Sequence, residues 1–215
     1  MIADKTTYFS EIKFELTKLW PENRAVTFVC HGHSVPAGYF KTPHVDTFNA
    51  YPHLFHVGLK ALFPNAVTNV IVTAIGGENS LSGAARFDRD VLSLRPDVLT
   101  IDYALNDRRL TLEQAAAAWS SMIEKALSAK IKVILLTPTA DQGANMNDGA
   151  DPLNTHAEQV RRLAAQYHVG LVDSLAAFKR AISSGTDLAD LMSQGNHPNR
   201  AGHELVAGEM VEWFC

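Results

Sequence analysis

Residues 26–39, VTFVCHGHSVPAGY, set a serine where it could act as a nucleophile. Val26, Phe28, Val29 and Cys30 make an apolar run long enough for one buried strand, and the chain then turns abruptly through His31, Gly32, His33 and Ser34. A strand that ends in a glycine-containing turn presents the next side chain at the carboxyl edge of a sheet, where open α/β sheets bind ligands. A serine hydroxyl becomes reactive there only if an imidazole takes its proton and fixed donors receive the charge that develops on the substrate. Three other turns carry unusual residues: Gly77, Glu78 and Asn79; Asn106 and Asp107; and Asn196-His197-Pro198-Asn199.

These turns can meet only if the elements between them form a parallel sheet. Apolar residues at Phe9, Ile12, Leu16 and Leu19 have helical spacing over residues 7–20, and Pro21 closes that helix. Strands are predicted at about 25–30, 67–74, 97–103, 131–137 and 169–173. Val70, Ile71 and Val72 are expected to be buried on both faces. Helices are predicted at 46–62 (Leu54, Phe55, Leu59 and Leu62 inward), 80–93, 154–167 and 199–214 (Val206, Met210, Trp213 and Phe214 inward). Thr111 with Gln114 three residues on is a capping-box signature. It opens a helix with Leu112, Ala115, Ala116, Trp119, Met122, Ile123, Ala126 and Leu127 on one face. Residues 138–153, PTADQGANMNDGADPL, lack periodicity and have the length of a functional lid or a disordered excursion.

Five alternations of strand and helix imply crossover connections and a parallel sheet covered on both faces, a three-layer α/β/α sandwich of flavodoxin-like type. Its turns would then emerge on one edge and converge. No linker or repeat divides the 215 residues, so a single domain over 1–215 is expected. A net charge of −4 leaves no electrostatic footprint for nucleic acid or an anionic membrane, and Arg108–Arg109 and Arg161–Arg162 are expected on solvated helix surface. Two cysteines make no disulfide framework, and Cys30 is expected to be a small core hydrophobe. The first twenty residues contain no apolar stretch typical of a leader, and no membrane span is evident, so a cytoplasmic protein is expected. His31, His33, His44, His53, His56 and His203 lack the partners and spacing of a metal site. The Gly76–Gly77 doublet lacks the spacing of a dinucleotide loop, so no metal or cofactor is expected.

In order, GHSVPAG, AIGGENS, ALND and GNHPNRAGH resemble the four blocks of the SGNH (GDSL-type) hydrolase superfamily, over about residues 25–214. The resemblance implies Ser34 as nucleophile and His197 as general base and then general acid. It also implies an oxyanion hole made of the Ser34 and Gly77 N–H groups and the Asn106 amide. Three positions depart from the pattern. His33 stands in place of the usual Asp, Ala104 in place of a Gly, and Gln194 in place of the Asp three residues before the His. Gln194 could orient the imidazole but not neutralise its charge. A Ser-His dyad held by Gln194 or a main-chain carbonyl is the favoured arrangement, with Asp190 or Glu78 as alternative acids.

The function implied is a serine esterase without cofactor, acting on a small-molecule ester. The polar 138–153 stretch favours a short acyl group, such as acetyl, on a polar or sugar-like alcohol. An acyl-thioesterase or lipase-type acylhydrolase, a non-catalytic binding module and a flavodoxin-like cofactor binder are the competing classes.

Overall fold

The computed structural model describes residues 1–215. Five parallel strands form one sheet: β1 (Ala25–Gly32), β2 (Val67–Val72), β3 (Val98–Asp102), β4 (Lys132–Leu136) and β5 (Gly170–Val172), in the order β2-β1-β3-β4-β5. This is the doubly wound arrangement, in which the direction of winding reverses between β1 and β3. In open α/β sheets the ligand crevice lies at that reversal. The three-layer α/β/α fold expected from the strand-helix alternation is therefore the fold observed.

Each face of the sheet has its own core, because successive strand residues point to opposite sides. Phe28, Val98, Ile134 and Leu136 face helices Ser10–Thr17, Tyr51–Leu62, Ser174–Ser183 and Arg200–Val211. Val29, Leu99, Val133 and Leu135 face helices Leu112–Ser128 and Pro152–Tyr167. The capping box at Thr111 and Gln114 is formed in both directions. Val206, Met210, Trp213 and Phe214 are all buried, and Cys30 is a buried thiol whose pKa burial pushes up to about 12.

Several expectations are corrected. The second strand is the sheet's edge, so Val70 and Ile71 are only half-buried and Val72 is exposed. Leu62, Leu112 and Leu127 are exposed at the margins of stripes that are otherwise inward, and Ala118 is buried instead. The 80–93 segment breaks into Ser80–Ala85, Phe87–Asp90 and a 3-10 turn Leu92–Leu94. Helix Ser174–Ser183 was not predicted, nor was the small antiparallel pair β6 (Met192–Gln194) and β7 (His197–Pro198). Arg108 and Arg161 are not merely solvated: they hold Asp141 at 2.6 Å and Asp173 at 2.7 Å.

The long loop before helix Pro152–Tyr167 is ordered, and its composition explains why. Asp141, Asn145 and Asp148 each accept the N–H two residues on, from Gly143 (2.8 Å), Asn147 (3.2 Å) and Ala150 (2.9 Å). Such Asx turns let a polar chain fold back without a core of its own. Asn154 then ties the loop to its helix by donating to the carbonyls of Asn145, Met146 and Asp148. No helix is long and apolar enough to cross a membrane.

The top of the β1–β3 pair depends on Gly32, which is in register with Asp102. A Cβ there would sit 2.5 Å from the Asp102 carbonyl oxygen and 2.7 Å from Pro36 Cγ. Gly32→Ala therefore forces apart the two strands beneath the serine. A loss of about 1–3 kcal/mol is expected, read as a lower urea midpoint with an unchanged m-value.

Candidate active site

Ser34 is the first residue of a one-turn helix, Ser34–Ala37, that follows β1 directly. His33 caps that turn, its Nδ1 accepting the Val35 N–H at 3.3 Å. The cap requirement explains how histidine can replace aspartate here, since either supplies an acceptor. The other ring nitrogen of His33 lies 3.3 Å from Asp102, whose second oxygen accepts the Tyr51 hydroxyl at 3.1 Å. Both His33 and Asp102 are buried, so the nucleophile's turn rests on a fixed polar floor. Gly38 ends the turn with a φ of 88°, a left-handed conformation that suits glycine.

His197 arrives from the other end of the chain. Its Nε2 lies 2.8 Å from Ser34 Oγ across 163 positions of sequence. Its Nδ1 is 2.9 Å from the Phe40 carbonyl oxygen. Donation of Nδ1–H to that carbonyl leaves the Nε2 lone pair facing the serine hydroxyl, which is the tautomer a general base requires. The carbonyl itself is fixed from behind. The Phe40 ring stacks on His203 at 5.2 Å, and His203 Nδ1 accepts the Tyr51 N–H at 3.1 Å. Burial lowers the His203 pKa to about 3, so that ring stays uncharged beside His197.

Of the groups considered as support for His197, Gln194 touches it and Asp190 does not. Asp190 is exposed, and its carboxylate makes no hydrogen bond or ion pair; its carbonyl accepts the Asn199 amide. The Glu78 carboxylate is committed to Arg86 at 2.6 Å. Gln194 Oε1 accepts the Thr42 N–H at 3.1 Å, and that bond turns its amide nitrogen to within 2.7 Å of His197 Nδ1. An amide N–H cannot stabilise an Nδ1–H, so Gln194 and the Phe40 carbonyl favour opposite tautomers. No carboxylate faces the imidazole. Burial lowers the His197 pKa, the Phe40 bond raises it in part, and His33 nearby lowers it further.

The residues expected to supply donors at this site line one cavity with Ser34. The Ser34 N–H, at the first position of its turn, and the Gly77 N–H make no hydrogen bond. Gly77 has a φ of 81° with open space where a Cβ would project. Asn106 lies in a short helix, Ala104–Asp107, rather than at the end of a strand, so Ala104 needs no glycine-like conformation. One N–H of the Asn106 amide donates to the Glu78 carbonyl at 2.7 Å. Asp107 is the clamp between the two turns, accepting the Ser80 N–H at 2.8 Å and the Trp119 indole N–H at 2.7 Å. Burial raises the Asp107 pKa.

Ser34, Tyr39, Thr42, Gly76, Gly77, Asn106, Arg109, Asn196 and His197 line a cavity of about 340 Å³. The four turns anticipated from sequence therefore do converge. The main-chain carbonyl expected as one support for His197 is that of Phe40, which the sequence could not single out because a backbone acceptor leaves no mark in residue type. Sequence reasoning missed Thr42 and Arg109, the latter signalled only by its place just after ALND; Asn196 lies within the turn singled out around His197.

Fold and site together place the protein in the class of three-layer α/β/α ester hydrolases. The chain belongs to the GDSL-like Lipase/Acylhydrolase family, whose model matches residues 30–205. It is 24% identical over 161 residues to an acetylxylan esterase of Geobacillus stearothermophilus, covering 69% of this chain and 73% of that protein. The solved structure of the acetylxylan esterase Axe2 from the same organism superposes with a TM-score of 0.74 at 21% identity, covering 88% of this chain and 93% of that one. A two-domain esterase active on acetylated mannans gives a TM-score of 0.79 at 22% identity over 96% of this chain. The chain corresponds to about half of that protein, 52% of its length.

Because the base must be neutral to accept a proton, the acid limb of kcat/KM is expected below pH 6.5, the direction in which burial moves His197. Gln194→Glu is isosteric and puts a carboxylate opposite Nδ1. It should move that limb upward by on the order of one pH unit, as measured by pH profiles on p-nitrophenyl acetate.

Proposed function

We propose that the protein removes acetyl groups from a carbohydrate-like alcohol through a Ser34–His197 dyad. The observation that carries the proposal is the 2.8 Å contact between Ser34 Oγ and His197 Nε2, with two unengaged N–H groups beside it. Ser34 Oγ attacks the acetyl carbonyl while its proton passes to His197 Nε2. The carbonyl π electrons move onto oxygen, which the Ser34 and Gly77 N–H groups and the Asn106 amide receive. His197 returns the proton to the departing alkoxide, leaving acetyl-Ser34 and the free alcohol. Water, deprotonated by the same nitrogen, attacks the acetyl carbon, and collapse of the second tetrahedral species releases acetate and restores the serine.

The cavity walls support a short acyl group. Tyr39 is the one large apolar side chain among the nine lining residues, so a long acyl chain would find little surface to bury against. Names of the similar proteins point the same way: one acts on acetylated xylan and another on acetylated mannan.

Ser34→Ala should lower kcat/KM by at least about 10³-fold. Asn106→Ala should lower kcat by about 10²–10³-fold with little change in KM. Across p-nitrophenyl acetate, butyrate and octanoate, rates should fall steeply with chain length. Equal rates on octanoate and acetate would overturn the acetyl assignment, and an active Ser34→Ala would overturn the dyad.

A further inference from the structure

The acetyl cavity does not end at Asn106. Asn106, Arg109 and Asn196 also line a second hollow of about 330 Å³, completed by Leu105, Arg108, Gly143, Ala144, Asp151 and Pro152. The two hollows share these three residues and so adjoin, giving a groove from Ser34 toward the Asx-turn loop. That loop is tied down on both sides: Arg108 holds Asp141 at 2.6 Å, and the Gln142 N–H donates to the Gly195 carbonyl at 2.7 Å.

One cation on this groove has no carboxylate partner. Eight of the ten arginines in the chain hold a carboxylate within 4 Å. The other two are Arg95, at the amino-terminal end of β3 and so away from the site, and Arg109. Arg109 is exposed, and its guanidinium makes no hydrogen bond or ion pair within the protein. The amide of Asn196 beside it also makes no side-chain hydrogen bond. Asp151, the carboxylate in this lining, is held to the loop by the N–H groups of Leu153 and Asn145, one on each oxygen at 2.8 Å, and makes no ion pair with Arg109. In a chain of net charge −4, a free guanidinium midway along a substrate groove is a local exception.

We infer that Arg109, assisted by Asn196, binds a carboxylate on the alcohol part of the substrate, as an acetylated uronic acid unit would present. The inference rests on the esterase reading above and adds a substrate class to it. A guanidinium offers two parallel N–H donors that match a carboxylate in one plane, so it would select charge and fix orientation together. The acetyl group would occupy the hollow at Ser34, and the acidic sugar would extend over Asn106 toward the loop.

The test compares an O-acetylated methyl uronoside with its uncharged uronamide, which keeps the same ring and the same acetyl ester. Wild type should show a kcat/KM ratio of acid to amide of about 10 or more at low ionic strength, falling as salt is added. Arg109→Gln should bring the ratio to about one, and Arg109→Lys should retain part of it by charge alone. A wild-type ratio near one, or a ratio unchanged in Arg109→Gln, overturns the carboxylate subsite. If the uronamide and p-nitrophenyl acetate are still hydrolysed in a Ser34-dependent way, the esterase reading survives that result. If wild type cleaves neither ester, both readings fall together.

Discussion

The imidazole of His197 is turned toward the serine by a main-chain oxygen, and much of the surrounding structure exists to keep that oxygen in place. Phe40 lies in a loop that doubles back on itself, its N–H donating to the His44 carbonyl while Tyr39 pairs with Val45. Its ring is held against His203, and His203 is held by the start of helix Tyr51–Leu62. A carbonyl has no net charge, so it orients the ring, and favours Nδ1–H against the pull of Gln194, without strongly favouring the protonated ring. A carboxylate in that place would do both. The protein thus has an oriented base of modest proton affinity, in a pocket where both neighbouring imidazoles are buried.

Convergence of the four turns follows from the sheet order. Ser34 leaves β1 and the Asn106 turn leaves β3, the two strands that flank the reversal of winding. Gly77 leaves the neighbouring edge strand. Only His197 comes from outside the sheet, on the small β6–β7 pair, which explains why Ser34 and Phe40 lie so far from it in sequence while Gln194 is near. Asp107 and Trp119 couple the turns to the long helix Leu112–Ser128, so the donors near Ser34 are held before any substrate arrives.

The fold was readable because strands with β-branched runs alternate with capped or proline-stopped helices, and each signal is local. Ser34, Gly77, Asn106 and His197 were readable because each sits in a short motif beside a strand. What escaped was set by tertiary context. Val72 has the composition of a buried strand residue, yet β2 has a neighbour on one side only. Helix Ser174–Ser183 follows a three-residue strand so closely that its apolar stripe merges with it in sequence. The support for His197 was open among Gln194, Asp190, Glu78 and a carbonyl, because no sequence pattern distinguishes a backbone acceptor from a side chain that fails to reach.

The loop at residues 138–151 shows how polar composition can give order rather than disorder: asparagine and aspartate replace missing core contacts by local turns.

Ester cleavage makes an acid with every cycle, so an enzyme of this kind acidifies the medium it works in. A base that binds protons strongly would be silenced early by its own product. Burial lowers the proton affinity of His197, and the Phe40 carbonyl restores only part of it, so in the proposed reaction the ring would stay neutral further into acid than a free imidazole.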